Sequence, residues 1–343
     1  MRTLLGGLVL ATLTAFATAA PPKVLDVAST FPKNLTYLGE SAEYLAERLE
    51  TLSNGDIELR VHGAGDLVPA LEVFNAVSTG VVPAGWDWIG YWGGTVPVAG
   101  LAGAMPFGPG PEIFLGWMWD HGGMEILQKA YDPYNIKVLP CHLTAPEPGG
   151  WFNKEINSVE DFQGLKMRIS GMGGKILNRL GASTQLIPGG EIYVALERGR
   201  IEATEFSLPI IDKSLGFQKI ARYYYFPGWH QPASWNSLLI NMDVWNEYSA
   251  EAQRVFVEAC RANVVWSMAS APGAQGAVLE EFVAQGIEVR RFPDAVLARL
   301  REEAKQVLAE EAEKDPIFKE AYESLVAYME TAGNWVQLQS IPR

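Results

Sequence analysis

The chain is poor in the residues that most often carry chemistry. Only two of its 343 residues are cysteine and only four are histidine. Two thiols cannot build a metal cluster alone, and His62, His121, His142 and His230 form no pair at metal-ligand spacing. A lone histidine reads as a structural residue, because a general base needs an identified partner. Basic residues are also scarce: 27 Lys and Arg against 40 Asp and Glu give a net charge of −13. That balance argues against nucleic acid, which demands a basic patch, although one well-placed arginine can still serve a small anion. Familiar enzyme signatures are missing as well. There is no Gly-x-Ser-x-Gly elbow, no His-Glu-x-x-His and no Cys-x-x-Cys. Gly171, Gly173 and Gly174 lack dinucleotide-fingerprint spacing, and Ile176 after Lys175 breaks a phosphate-loop pattern.

Long apolar runs are absent too, except at the start. Arg2 is the only charge in the first twenty positions, Leu4 to Phe16 is apolar with small interruptions, and Ala17-Thr18-Ala19 offers a small-x-small cleavage site. These are the parts of a signal peptide over residues 1–19, with the mature chain beginning near Ala20. The run is too short for a bilayer, and no cysteine near Ala20 provides for a lipid anchor. The expectation is export to the periplasm. An oxidising compartment permits a bridge between Cys141 and Cys260. Both sit in apolar-patterned segments, however, where buried free cysteine is common, and the reading leans to free thiols.

What is present is an alternation of short apolar strands and amphipathic helices. Lys23 to Ala28 reads as a strand, Tyr37 to Leu52 as a helix, Ile57 to His62 as a strand and Ala70 to Thr79 as a helix closed by Gly80. This rhythm predicts an α/β fold with a largely parallel sheet. The segment from Gly85 to Gly110 is dense in Trp, Gly and Pro, with Asp87 its one charge. Strands are expected at 136–141, 151–154, 165–169, 203–206, 223–226, 237–241 and 288–291. Long helices are expected from Ser249 to about Ala284, from Asp294 to Lys314 and from Pro316 to Gln339. The length suggests two domains. With no linker between them, the chain must cross more than once, as in receptors that close a cleft on a ligand. The expected division is 20–145 with part of 235–280 returning to it, then 146–234, then a C-terminal helical region, 281–343.

One stretch is specific. It runs Gly164-Leu-Lys-Met-Arg168-Ile-Ser-Gly-Met-Gly-Gly174, Ile187-Pro-Gly-Gly-Glu-Ile-Tyr-Val-Ala-Leu-Glu-Arg-Gly199, Ile201-Glu-Ala-Thr-Glu205-Phe206 and Phe226-Pro-Gly-Trp-His-Gln-Pro232. With Tyr91-Trp92 and Pro106-Phe107-Gly108, it resembles the substrate-binding subunits of tripartite ATP-independent periplasmic (TRAP) transporters, the DctP-type family. The likeness is greatest to the branch that binds 2-oxoacids and lactate, and it covers the mature chain. It implies a two-domain α/β periplasmic solute-binding protein with a ligand cleft between domains and long C-terminal helices. Such a protein captures a small organic monocarboxylate for the transporter's membrane subunits. A homodimer through the last helices is also implied.

The resemblance assigns roles residue by residue. Arg168, at a strand end, anchors the ligand carboxylate, for which a guanidinium fork is the natural partner. Glu205 supplies a carboxylate to a bound cation, and Phe206, where the branch usually has Trp, supplies its backbone carbonyl. Glu147 stands where the branch usually has Gln, and Gln231 where it usually has Glu. One carboxylate is thus lost and one gained, and both residues join the expected cation set. Ser207 departs from the usual Gly. Oxygen donors of this kind suit Ca²⁺ or Na⁺, and no organic cofactor is implied. Tyr91, Trp92 and, at the next strand, Asn236 complete the expected substrate contacts. Three other readings stay open: a different organic acid, a sensory receptor on the same fold, and a metal-dependent lyase, against which the missing acid–base residues weigh.

Overall fold

The computed structural model describes residues 24–339, so the expected signal peptide at 1–19 lies outside the described residues. Eleven strands among them form two sheets. The first holds β1 (Val24–Ser29), β2 (Glu58–His62), β3 (Ala84–Trp88), β4 (Ile136–Thr144) and, from much later in the chain, β10 (Ser234–Asn241), in the order β2-β1-β3-β10-β4. The second holds β5 (Gly150–Phe152), β6 (Lys166–Arg168), β7 (Ser183–Gln185), β8 (Ala203–Thr204), β9 (Tyr223–Phe226) and β11 (Glu288–Arg291), in the order β11-β9-β5-β8-β6-β7.

Neither sheet is wholly parallel. β1 pairs in parallel with β2 and β3, but β10 runs antiparallel to both β3 and β4. In the second sheet β5 is antiparallel to β8 and β9, while the other pairs are parallel. The expectation of a largely parallel sheet holds in strand direction: β2, β1, β3 and β4 run one way against β10 alone, and β11, β9, β8, β6 and β7 run one way against β5 alone. A strand that returns from the second sheet to the first need not obey the crossover rule that makes successive β-α-β strands parallel. β3 itself lies in the Trp- and Gly-rich segment and is buried along its whole length.

The chain therefore passes between the sheets three times: after β4, after β9, and along one helix, Ala250–Ala284. Asn263 on this helix donates to the Cys141 carbonyl beside the first sheet, and Gln275 accepts from the Ile210 N–H beside the second. Pro272 sits between these two contacts. Because the helix lies against β4, it brings Cys260 to Cys141, with Cα atoms 4.2 Å apart, and the two form a disulfide. The expectation of free thiols is overturned. Both sulfurs are buried, as the apolar pattern suggested, but tertiary packing makes them neighbours across 119 positions of sequence.

Candidate functional site

The two crossings near 145–149 and 227–233 bring residues of both sheets to a common cavity. Its local construction depends on close backbone passage. A Cβ on Gly228 would lie 2.0 Å from the Glu147 carbonyl oxygen, so only glycine lets the two crossing loops touch. Gly171 has φ +62°, and a Cβ there would meet the Trp88 ring at 2.9 Å, so the helix Gly171–Arg179 can begin directly behind the site.

Arg168 ends β6, opposite Thr204 of β8, and this parallel register puts Glu205 next to it. The Arg168 side chain is fully buried. Its Nη1 donates to the Glu205 carboxylate and to the Glu205 backbone carbonyl, both at 2.7 Å, and its Nε donates to the Ile187 carbonyl at 3.1 Å. Only Nη2 has no partner among the described residues. What Arg168 offers a ligand is thus the two diverging N–H bonds of Nη2, not the two-nitrogen fork expected from the sequence.

Glu205 Oε1 is saturated: besides Arg168 it accepts from the Ser170 N–H at 2.6 Å and the Ser170 hydroxyl at 3.1 Å. Its Oε2 has no hydrogen-bond partner. Burial pushes this carboxyl up, but the Arg168 charge, His230 and the Ser170 N–H together hold it below the usual carboxylate range. Glu147 behaves oppositely. It is buried, its Oε1 accepts from the hydroxyls of Ser207 at 3.2 Å and Ser234 at 3.4 Å, and its Oε2 is unpartnered. Burial, then the charges of Glu205 and Asp212, hold its carboxyl well above the usual range. A carboxylate oxygen of each and a ring nitrogen of His230 lie within 4.8 Å of one another.

These unsatisfied, buried donors fit a cation. Without one, two acidic side chains share a dry space with a single arginine already committed to one of them. A cation there would satisfy the unpartnered oxygens and favour the ionised form of Glu147.

The cavity is small: about 20 Å³ of it is open to the centre of a water molecule. Phe31, Leu38, Trp88 and Phe206 form its apolar wall. Thr144, Glu147, Ser170, Ser207, Gln231 and Asn236 form the polar one. Tyr91 closes one side with its ring edge-on to Trp88 at 5.0 Å. The phenol is pushed up by burial, while the neighbouring Arg168 charge pulls the other way. Phe206 places its ring 5.2 Å from the Arg168 guanidinium carbon, a cation–π contact. Gln231 donates its amide to Ser170 Oγ at 3.3 Å.

The structure thus brings together Arg168, Tyr91, Glu147, Glu205, Phe206, Gln231 and Asn236. Trp92 stands apart: its indole donates to buried Asp87 and its ring stacks on Phe74 in the core. Trp88 takes the place at the cavity that the sequence suggested for Trp92. Sequence reasoning also passed over His230 and Ser170. Only their adjacency to Gln231 and Arg168 could have flagged them.

Comparison with known proteins follows the same line. The profile of DctP, bacterial extracellular solute-binding protein, family 7, matches residues 28–315. A monocarboxylate 2-oxoacid-binding periplasmic protein of Nostoc sp. is 35% identical over 314 residues, covering 91% of this chain and 86% of that protein. A TRAP transporter solute-binding protein of Bordetella bronchiseptica superposes with TM-score 0.90 at 32% identity, covering 93% of this chain and 95% of that one. Its structure is a mixed-occupancy dimer with copurified calcium and picolinate in one site. A TRAP periplasmic solute-binding protein of Pseudoalteromonas atlantica, with bound sodium and pyruvate, superposes with TM-score 0.88 at 32% identity, covering 92% and 96%.

Proposed function

The chain belongs to the DctP family of bacterial extracellular solute-binding proteins, the substrate-binding subunits of TRAP transporters, and on that premise we propose that it captures a small monocarboxylate, a 2-oxoacid or 2-hydroxyacid, together with a cation. The observation that carries this reading is a set of unpartnered buried atoms at and just behind one small cavity: Glu147 Oε2 on its wall, and Glu205 Oε2 and Arg168 Nη2 on side chains that touch the lining residues Ser170 and Phe206. One cationic nitrogen and two anionic oxygens match a ligand carboxylate beside a cation. The relatives named above bind pyruvate with sodium and picolinate with calcium.

In this reading Arg168 Nη2 takes the ligand carboxylate, and the Tyr91 hydroxyl and Asn236 amide orient the remaining polar atoms. Glu147, Glu205, Gln231 and the Phe206 carbonyl hold Ca²⁺ or Na⁺. The cation, when bound, supplies positive charge to the ligand's oxygens. Phe31, Leu38 and Trp88 exclude water, which strengthens each of these contacts. Glu147, the carboxyl on the cavity wall whose pKa is raised by burial, is pinned by two serine hydroxyls, which suits a binding role better than proton transfer. The chain acts by binding and release, from the periplasm, to membrane subunits. The domains are the two sheets with their helices, and they close about the crossings.

A thermal-shift screen of small organic acids, with Ca²⁺ and with chelator, tests this. A ligand at 100 times its Kd stabilises by about 2.7 kcal/mol, and pyruvate or lactate should give such a shift only with the cation. Tyr91→Phe should weaken the response several-fold without altering the unliganded midpoint by more than a degree or two. If no 2-oxoacid or 2-hydroxyacid shifts the midpoint under any cation, the ligand class is wrong.

A further inference from the structure

Three of the four histidines make at least one ordinary bond through the ring, although His142 Nε2 is unpartnered. His62 Nε2 lies 2.8 Å from Asp26, His121 Nδ1 lies 3.3 Å from the Gly116 carbonyl, and His142 Nδ1 lies 2.7 Å from Ser41 Oγ. His230 is different. It is 2% exposed, and neither ring nitrogen has a hydrogen-bond partner among the described residues. Glu205 Oε2 stands 3.5 Å from its Nε2, beyond a normal N–H···O bond. A buried imidazole without partners is costly and calls for an explanation.

Its surroundings supply one. A ring nitrogen of His230 shares a span of 4.8 Å with oxygens of Glu147 and Glu205, and each of these carboxylates keeps one unpartnered oxygen. Around a tetrahedral ion with ligands at about 2.0–2.2 Å, the ligand atoms lie about 3.3–3.6 Å apart, so drawing in by up to about an ångström would let a single ion take all three. The imidazole is packed rather than free to swing away. Trp229 meets it edge-on with ring centroids 5.5 Å apart, and a Cβ on Gly173 would lie 3.1 Å from its own Cβ.

We propose that His230 is a metal ligand, and that its imidazole, with the carboxylates of Glu147 and Glu205, makes the site competent for a borderline divalent ion such as Zn²⁺ or Co²⁺ as well as for hard cations. Carboxylates alone suit Ca²⁺, whereas imidazole adds affinity for Zn²⁺ and its neighbours. The inference rests on the reading that this cavity holds a cation, and it adds a donor and a selectivity to that reading.

The test is calorimetric titration of the chelator-stripped mature protein with Zn²⁺, Co²⁺ and Ca²⁺, in wild type, His230→Gln, His230→Asn and Glu205→Gln. Circular dichroism establishes that each variant is folded. His230→Gln and His230→Asn should weaken Zn²⁺ and Co²⁺ at least tenfold while changing Ca²⁺ less than threefold. The visible Co²⁺ bands should lose intensity or shift in both. Glu205→Gln should weaken all three ions. Equal losses for Zn²⁺ and Ca²⁺ in the His230 variants, or no loss, would overturn the proposal. So would Zn²⁺ uptake that survives unchanged in every variant, which marks an adventitious surface ion. If Ca²⁺-dependent pyruvate binding persists in wild type while the His230 variants show no ion-selective loss, only this inference falls. If wild type takes up neither cation nor 2-oxoacid, the reading of the cavity falls with it.

Discussion

Arg168 and Glu205 form a fully buried ion pair, and such pairs are costly to break from one side. Arg168→Ala leaves the Glu205 carboxylate buried without the guanidinium that neutralises it. The expected loss is on the order of 3–5 kcal/mol, read by urea unfolding of the unliganded protein. Added cation should recover part of that loss, because it offers Glu205 another partner. Asp87 gives a separate and signed prediction. Burial lifts its carboxyl from the ordinary 3.8 to about 7, against the bond from Trp92. The folded state therefore binds a proton that the unfolded state releases between pH 4 and 7. Stability should fall as pH rises through that window and level off above about pH 7, a swing on the order of 4 kcal/mol for this group. Asp212, lifted to about 7 by the same cause, adds a slope of the same sign. Asp87→Asn should flatten its share of the slope between pH 4 and 7. A stability that rises across that range would contradict the assignment.

Among the elements, the Ala250–Ala284 helix does most to unite the molecule, and the disulfide fixes its position against β4. Closing a loop of 119 residues constrains the unfolded chain strongly, and Cys141→Ser with Cys260→Ser should cost on the order of 2–4 kcal/mol. Non-reducing mass analysis checks the bridge itself. Much of this element plan could be read from sequence. The Leu38–Leu52 helix, β2, β9, β11 and the last two helices match the periodicity almost to the residue. β3 could not be read this way. With all five residues buried it shows no alternation, and its Trp and Gly content resembles a loop. β7 is exposed or half-buried and only three residues long, too short to leave a pattern. The direction of β10 depends on where the chain has been, which no local signal records. At the cavity, Arg168 and Glu205 were singled out from the sequence by the family likeness of their stretch, and they stand at the end of β6 and just after β8. His230 was not, because its significance comes from Glu147 and Glu205, which reach it from two other segments.

At the scale of the whole molecule, the last two helices strap the halves together. Asp294–Lys314 packs on the helix Gly171–Arg179, where Arg179 reaches Glu303, Gln306 and Glu310, and Lys175 reaches Glu311. Pro316–Gln339 packs instead on helices beside the first sheet, and Trp117 donates to Ser324. Its far end presents Trp335 and Leu338 at 63% and 80% exposure. We propose that a second copy covers this end, as the sequence resemblance implies; light scattering should then give twice the chain mass, with Trp335→Glu and Leu338→Glu together shifting the population toward monomer. The central claim, however, concerns the cavity. Its most direct test is calorimetric titration of pyruvate into chelator-stripped protein with and without Ca²⁺, in wild type and Arg168→Ala. The expected result is saturable one-site binding that requires the cation and is lost in the variant while the protein remains folded. Binding that is indifferent to both, or no binding of any small 2-oxoacid or 2-hydroxyacid, would contradict it.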